Sequence, residues 1–229
     1  MDSVTLITRP RRFGKTLTIS MLERFFSIQY YNESAIFEHL DIWKYPEYRE
    51  IMGTYPAMER GLMTGITRVS KESIFSDLNN MEVVTTTSVK YADVYGFSED
   101  EVFSALDEYG LSDIKDKVKR WYDGFLFGNS KDIYNPWSII NLLDKKQLGT
   151  YWANTSANGL IAKLIQEGDR NIKQLFETLL KGESIVCEID EQIIYNQLSI
   201  NDNAIWSLLL ASGYLTVVNY IGYGDAKLP

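Results

Sequence analysis

Eight consecutive residues, Arg9-Pro10-Arg11-Arg12-Phe13-Gly14-Lys15-Thr16, lie between a strand-like run and a helix-like one, and that placement restricts the fold more than anything else in the chain. Val4–Thr8 (VTLIT) is short, apolar and β-branched, so it reads as a buried strand that Arg9-Pro10 ends. From Lys15 onward, Leu17, Met21, Phe25 and Ile28 recur at i, i+4, i+8 and i+11, one apolar stripe along a helix. A strand that passes through a Gly-Lys-Thr turn into a helix has the local form of a phosphate-binding loop. Its backbone N–H groups curl around phosphate at the helix start, a Gly keeps the turn uncrowded, a Lys reaches the outer phosphates and a hydroxyl meets Mg²⁺. Gly14, Lys15 and Thr16 supply those last three parts, whereas Arg9 stands where the general G-x-x-x-x-G-K-[ST] pattern has its first glycine.

The charge pattern supports the same reading. A Lys at a helix N-terminus opposes the macrodipole, and neighbouring arginines deepen the conflict until an anion removes it. The alternative is a basic turn in which Lys15 merely solvates the helix start. The chain as a whole carries a net charge of −8, yet residues 1–16 hold Arg9, Arg11, Arg12 and Lys15 against Asp2 alone. A focused cationic patch on an acidic body suits a small polyphosphate and disfavours nucleic acid as a partner.

Composition excludes several classes. With 229 residues, 45% of them hydrophobic and only 5 Pro, the chain is a folded protein large enough for one large domain or two small ones. A single Cys, Cys187, rules out an internal disulfide and points to the reducing cytoplasm. A single His, His39, leaves no His pair for zinc and no partner for a Cys187 thiol protease; it reads as structural within the helix-like stretch Ser34–Trp43. Asp2 and the early arginines interrupt any signal peptide. The uncharged stretch Asn203–Gly224 is punctuated by Ser212-Gly213 into a helix-like half, Ala204–Ala211, and a strand-like half, Tyr214–Tyr220, so it reads as a buried helix-turn-strand and no membrane is expected as a partner.

A second strand is expected over Gly61–Thr67, ended by Arg68, with Ser70 capping a helix that carries Ile74, Phe75 and Leu78. After Val83–Thr87 the character turns helical. Ser98-Glu99-Asp100-Glu101 is a capping box whose helix stops near Gly110, and Asn135-Pro136 places a cap residue before a proline at the first helical position. The expected division is an α/β part over residues 1–90 and a mainly helical part over 91–229, closed by a winged, helix-then-strand end at 204–221. Trp121, Tyr122, Phe125 and Phe127 around the Asp123-Gly124 turn, with Tyr134, Trp137, Trp152 and Trp206, are assigned to the core rather than to a base-stacking platform.

The run LITRPRRFGKTLTISMLERFF at 6–26 resembles the phosphate-loop (Walker A) segment of the AAA-ATPase-like family, bacterial P-loop proteins often joined to a C-terminal nuclease-like domain of the PD-(D/E)XK type. GLMTGITRVSKESIFSDLNN at 61–80, KRWYDGFLFG with IYNPWSIINLL at 119–143, and AIWSLLLASGYL at 204–215 are similar to segments of the same family. The form RPRRFGK[ST], with Arg for the first Gly, is the family's own. The resemblance implies an α/β, P-loop NTPase-like (AAA-like) core followed by a mainly helical, winged-helix-like domain. It implies ATP and Mg²⁺, with Lys15 on the β/γ-phosphates, Thr16 on the metal, and Gly14 with Arg11, Arg12 and Phe13 as the cradle. Arg68 would be a catalytic sensor of the γ-phosphate, and the implied partners are the nucleotide and a protein partner or fused nuclease-like domain.

One departure bears on activity. Family members carry the second metal-site carboxylate on a strand ending in Asp-Glu, in a long segment between the first helix and the GITR-like strand. Here no apolar strand followed by Asp-Glu lies between Lys15 and Arg68, and Ser184–Glu191 (SIVCEIDE) imitates that pattern far along the helical part. The expectation is a truncated core, either a shortened relative or part of a longer parent, whose two evident strands make a thin parallel sheet. Hydrolysis is then compromised. Two rival readings follow: a non-enzymatic nucleotide-binding or scaffolding module, and a DNA-associated module that works with a nuclease-like domain through the winged end, which the acidic balance of the second part opposes.

Overall fold

The apolar run Val4–Thr8 forms β1, the central strand of a three-stranded parallel sheet. Its neighbours are β2 (Gly61–Gly65) and β3 (Met81–Val84), in the order β2-β1-β3. Pairing runs from Val4↔Gly61 to Thr8↔Gly65 on one side and from Val4↔Met81 to Ile7↔Val84 on the other. The computed structural model describes residues 4–54, 61–66, 81–122, 124–152, 166, 168–190, 202–219 and 221. Arg68, the Ser70 cap and the helix expected to carry Ile74, Phe75 and Leu78 lie outside them. The sheet has one strand more than the two evident in the sequence. Parallel strands normally announce themselves as continuous apolar runs, but Glu82 interrupts β3 and is answered by Lys90, 2.6 Å away.

Helix α1 (Lys15–Phe26) starts where expected. The chain then returns through short 3-10 turns at Ile28–Tyr30, Ser34–Ile36 and Asp41–Lys44 into α2 (Pro46–Ile51). His39 is exposed between two of those turns rather than within a helix. Of the expected apolar stripe, Phe25 alone is buried, packed with Phe37 and Met52, while Leu17 on α1 and Ile28 in the 3-10 turn after it are 62% and 57% exposed. The helical period was legible, but the return segment covers only the C-terminal end of that face.

The second part opens with α3 (Glu99–Glu108), where Ser98 and Glu101 complete the expected capping box, and Gly110 turns the chain with φ 72°. It continues through α4 (Lys115–Tyr122), the antiparallel hairpin of β4 (Phe125–Phe127) and β5 (Ser130–Ile133), and α5 (Pro136–Lys145), capped by Asn135. Helices α6 (Arg170–Leu180) and α7 (Asp202–Ser212) close it. Val102, Leu106, Val118, Tyr134, Ile139 and Leu142 form one core, and Ile172, Ile205, Trp206 and Leu209 another. Among the described residues the expected wing has no strand: residues 214–219 after α7 are unpaired in any sheet and Val218 is exposed. A β-branched run needs a partner strand, and none is offered among the described residues.

Residues 183–190 also lack regular structure. Ile185, Cys187 and Ile189 turn onto the α6–α7 core while the residues between them are exposed, so Glu188 and Asp190 of the SIVCEIDE run fall on the outer side of a packed strip. Burial pushes the Cys187 thiol up, away from reactivity. A further core joins the two parts. Ile7, Phe13 and Val84 pack with Ala92, Tyr95, Phe127 and Ile133, so a continuous cluster crosses the expected division near residue 90. No helix among the described residues is long and apolar enough to cross a membrane.

Candidate phosphate-binding loop

Residues 9–14 leave the C-terminal end of the central strand, where open α/β sheets bind their ligands. Two positive φ values shape the turn, 69° at Arg12 and 74° at Gly14. Gly14 is the N-cap of α1 and has no side chain to satisfy the first-turn N–H groups, and no acidic residue follows in that turn. Its carbonyl starts the helix by accepting from the Thr18 N–H at 2.9 Å and from Thr18 Oγ1 at 3.2 Å. A Cβ built on Gly14 would meet nothing within 4 Å, so the uncapped helix start opens onto space. Thr16 is exposed in the same turn.

Lys15 folds back over the loop. Its Nζ donates to the carbonyls of Arg9 at 3.0 Å and Pro10 at 2.6 Å. Burial, and after it the charges of Arg11 and Arg9, lower its pKa to about 8. The ammonium is therefore held by weak neutral acceptors in a cationic setting, and an arriving phosphate would raise its pKa again.

Four of the five residues before Gly14 play separate parts. Arg9 is fully buried. Its guanidinium donates to the carbonyls of Thr8 at 2.8 Å, Thr85 at 2.7 Å and Tyr91 at 2.6 Å, and lies 4.8 Å over the Phe127 ring. The residue that departs from the general motif thus ties the ends of β1 and β3 to the second part. Phe13 is buried too, edge-on to Phe125 and Phe127 at 5.0 and 5.2 Å, so its ring anchors the loop in the core. Arg11 is half-buried, and its carbonyl accepts from Asn135 Nδ2 at 3.2 Å. Arg12 is exposed and stacks 4.7 Å over Trp137. Trp137, assigned to the core from sequence, is 38% exposed and carries that stack instead.

The structure thus brings Arg11, Arg12, Gly14, Lys15 and Thr16 to one turn and adds neighbours that sequence reasoning did not assign to the site. They are Asn135 and Trp137 at the start of α5, and Gly213, where a Cβ would come 2.9 Å from Pro10 Cβ. Tyr95 also belongs here: its phenol is buried beside Thr18, and burial pushes it up. For phosphate the residues fit: an open αL turn, an uncapped helix start and a Lys at its mouth. For Mg²⁺ the protein offers the Thr16 hydroxyl, and among the described residues no group of three or more His, Cys, Asp or Glu side chains could hold a metal.

Fold and loop together define a mixed α/β protein with a small parallel sheet and a P-loop-like core. Residues 1–60, the segment that carries the loop, match the model of the AAA-ATPase-like family, described as predicted AAA-ATPase. A curated relative, an uncharacterized protein in the vnfD 5' region of Azotobacter chroococcum mcd 1, is 25% identical over 158 residues. The match covers 68% of this chain and 28% of that protein's length. No solved structure matches the chain.

Proposed function

We propose that the Arg9–Thr16 loop binds the phosphates of ATP together with Mg²⁺, and that this chain alone turns the nucleotide over slowly. The observation that carries the reading is the open, uncapped start of α1 at Gly14, with the Lys15 ammonium at its mouth. Lys15 would leave its two carbonyls for the β/γ-phosphates, Thr16 would meet the metal, and the N–H groups after Gly14 would donate to phosphate oxygens. Arg68, just past the end of β2, is the proposed sensor of the γ-phosphate. Bound Mg²⁺ would supply charge neutralisation at the phosphates. The second reading, a module that holds nucleotide without hydrolysing it, is supported by the sequence between Lys15 and Arg68, which has no apolar strand followed by Asp-Glu.

Calorimetric titration of MgATP tests the binding. A charge-assisted contact contributes about 1.5–3 kcal/mol, so Lys15→Ala should weaken affinity by roughly tenfold to over a hundredfold with the fold intact. Equal affinities would overturn the assignment of the loop. Phosphate release separates the two readings: Lys15-dependent turnover near ~1 s⁻¹, the low end of ordinary enzymes, would refute slow hydrolysis. Its loss in Asp190→Asn would assign the metal carboxylate to the SIVCEIDE run.

A further inference from the structure

Asn135 is 3% exposed and uses both ends of its amide. Its Oδ1 accepts from the Ser138 N–H at 3.2 Å and so caps α5, while its Nδ2 donates to the Arg11 carbonyl at 3.2 Å, across 124 residues of sequence. The two contacts fix the amide's orientation between them, because the Ser138 N–H requires an acceptor and the Arg11 carbonyl a donor. Arg11 immediately precedes the residue that takes φ 69°, so the bond pins the loop just before its left-handed turn. A left-handed conformation at a non-glycine residue costs roughly 1–2 kcal/mol and persists when its surroundings hold it there. Trp137 adds a second hold from the same turn of α5 by stacking under the Arg12 guanidinium.

We infer that Asn135 is a positioning residue for the phosphate loop: besides capping α5, it holds the Arg11 peptide so that the N–H groups up to Lys15 converge on one anion. The inference rests on the nucleotide reading above and adds to it a dependence of the site on the second part of the chain. Asn135→Ser is the discriminating variant, because serine is as good an N-cap and carries no charge but lacks an amide donor that reaches Arg11. Asn135→Asp keeps the shape and the cap and replaces the donor by an acceptor. Both variants should stay folded and melt above Asn135→Ala, lowered by no more than the loss of one buried hydrogen bond. Both should bind MgATP, and tripolyphosphate without a base or ribose, about tenfold more weakly, the effect of one lost hydrogen bond and a loosened loop. Asn135→Ala, which loses cap and donor together, should fall in both melting temperature and affinity. Wild-type affinity in the Ser and Asp variants, alongside Lys15-dependent binding by the native chain, would overturn the positioning role and leave the nucleotide reading intact. Failure of the native chain to bind either ligand would overturn both.

Discussion

Lys15 and Arg9 are both cations of the same loop, and their environments give them opposite tasks. Lys15 has a pKa near 8 because its charge is partly desolvated beside two arginines. Since the folded value lies below the usual 10.5, the unfolded chain binds more protons between about pH 8 and 10.5, and this residue's contribution to stability rises with pH across that window. Phosphate binding has the opposite dependence, because it requires the ammonium. At pH 9 the free protein holds about a tenth of its Lys15 charged, so MgATP affinity should be about tenfold lower than at pH 7, and Lys15→Ala should show no such fall. A pH-independent wild-type affinity would remove Lys15 from the site. Arg9 has no freedom to meet a ligand, since its guanidinium donates to carbonyls on three residues. Arg9→Gly, which restores the general motif, should therefore destabilise the fold by about 3 kcal/mol or more, read from denaturant unfolding. A neutral result would show that those carbonyls find other donors.

At the scale of elements, α1 owes its place to the strand behind it, and the ligand end of the loop owes its shape to α5 and α7. Gly213, just after α7, has φ 85° and sits against Pro10. Gly213→Ala would put a Cβ 2.9 Å from Pro10 Cβ in a backbone region that disfavours side chains, so the end of α7 must shift away from the loop. Thermal unfolding should report a loss of about 1–3 kcal/mol, and MgATP affinity should fall with it. A stable variant with reduced affinity would still place α7 against the loop, whereas unchanged stability and affinity together would not.

For the molecule as a whole, the core around Phe13 matters most. Its ring joins Ile7 and Val84 of the sheet to Phe127 and Ile133 of the hairpin, so neither side completes its burial alone. A fragment ending at residue 90 exposes Phe13, and three short parallel strands need cover on both faces. Circular dichroism of that fragment should lack a cooperative melt, and the full chain should bury Phe13 within one. A cooperatively folding fragment would support an independent unit ending near residue 90.

Local chemistry was enough for much of this. The β-branched run Val4–Thr8, the helix beginning at Lys15, the capping box at Ser98 and the Asn135-Pro136 start of α5 were all legible, because each depends on residues within a turn or a strand of one another. The strand-turn-helix frame of the loop belonged to that class, since strand, Gly-Lys-Thr and helix are contiguous. Contacts between distant segments were not legible. Nothing local distinguishes Arg9, sealed into three carbonyls, from Arg12, stacked at the surface, or tells that Asn135 caps a helix with one atom and holds the loop with another. The third strand, the lack of strand pairing at residues 214–219 and the uncovered half of the α1 stripe share that cause. Period and propensity state what a segment can present, and burial and pairing depend on which remote surface arrives to meet it.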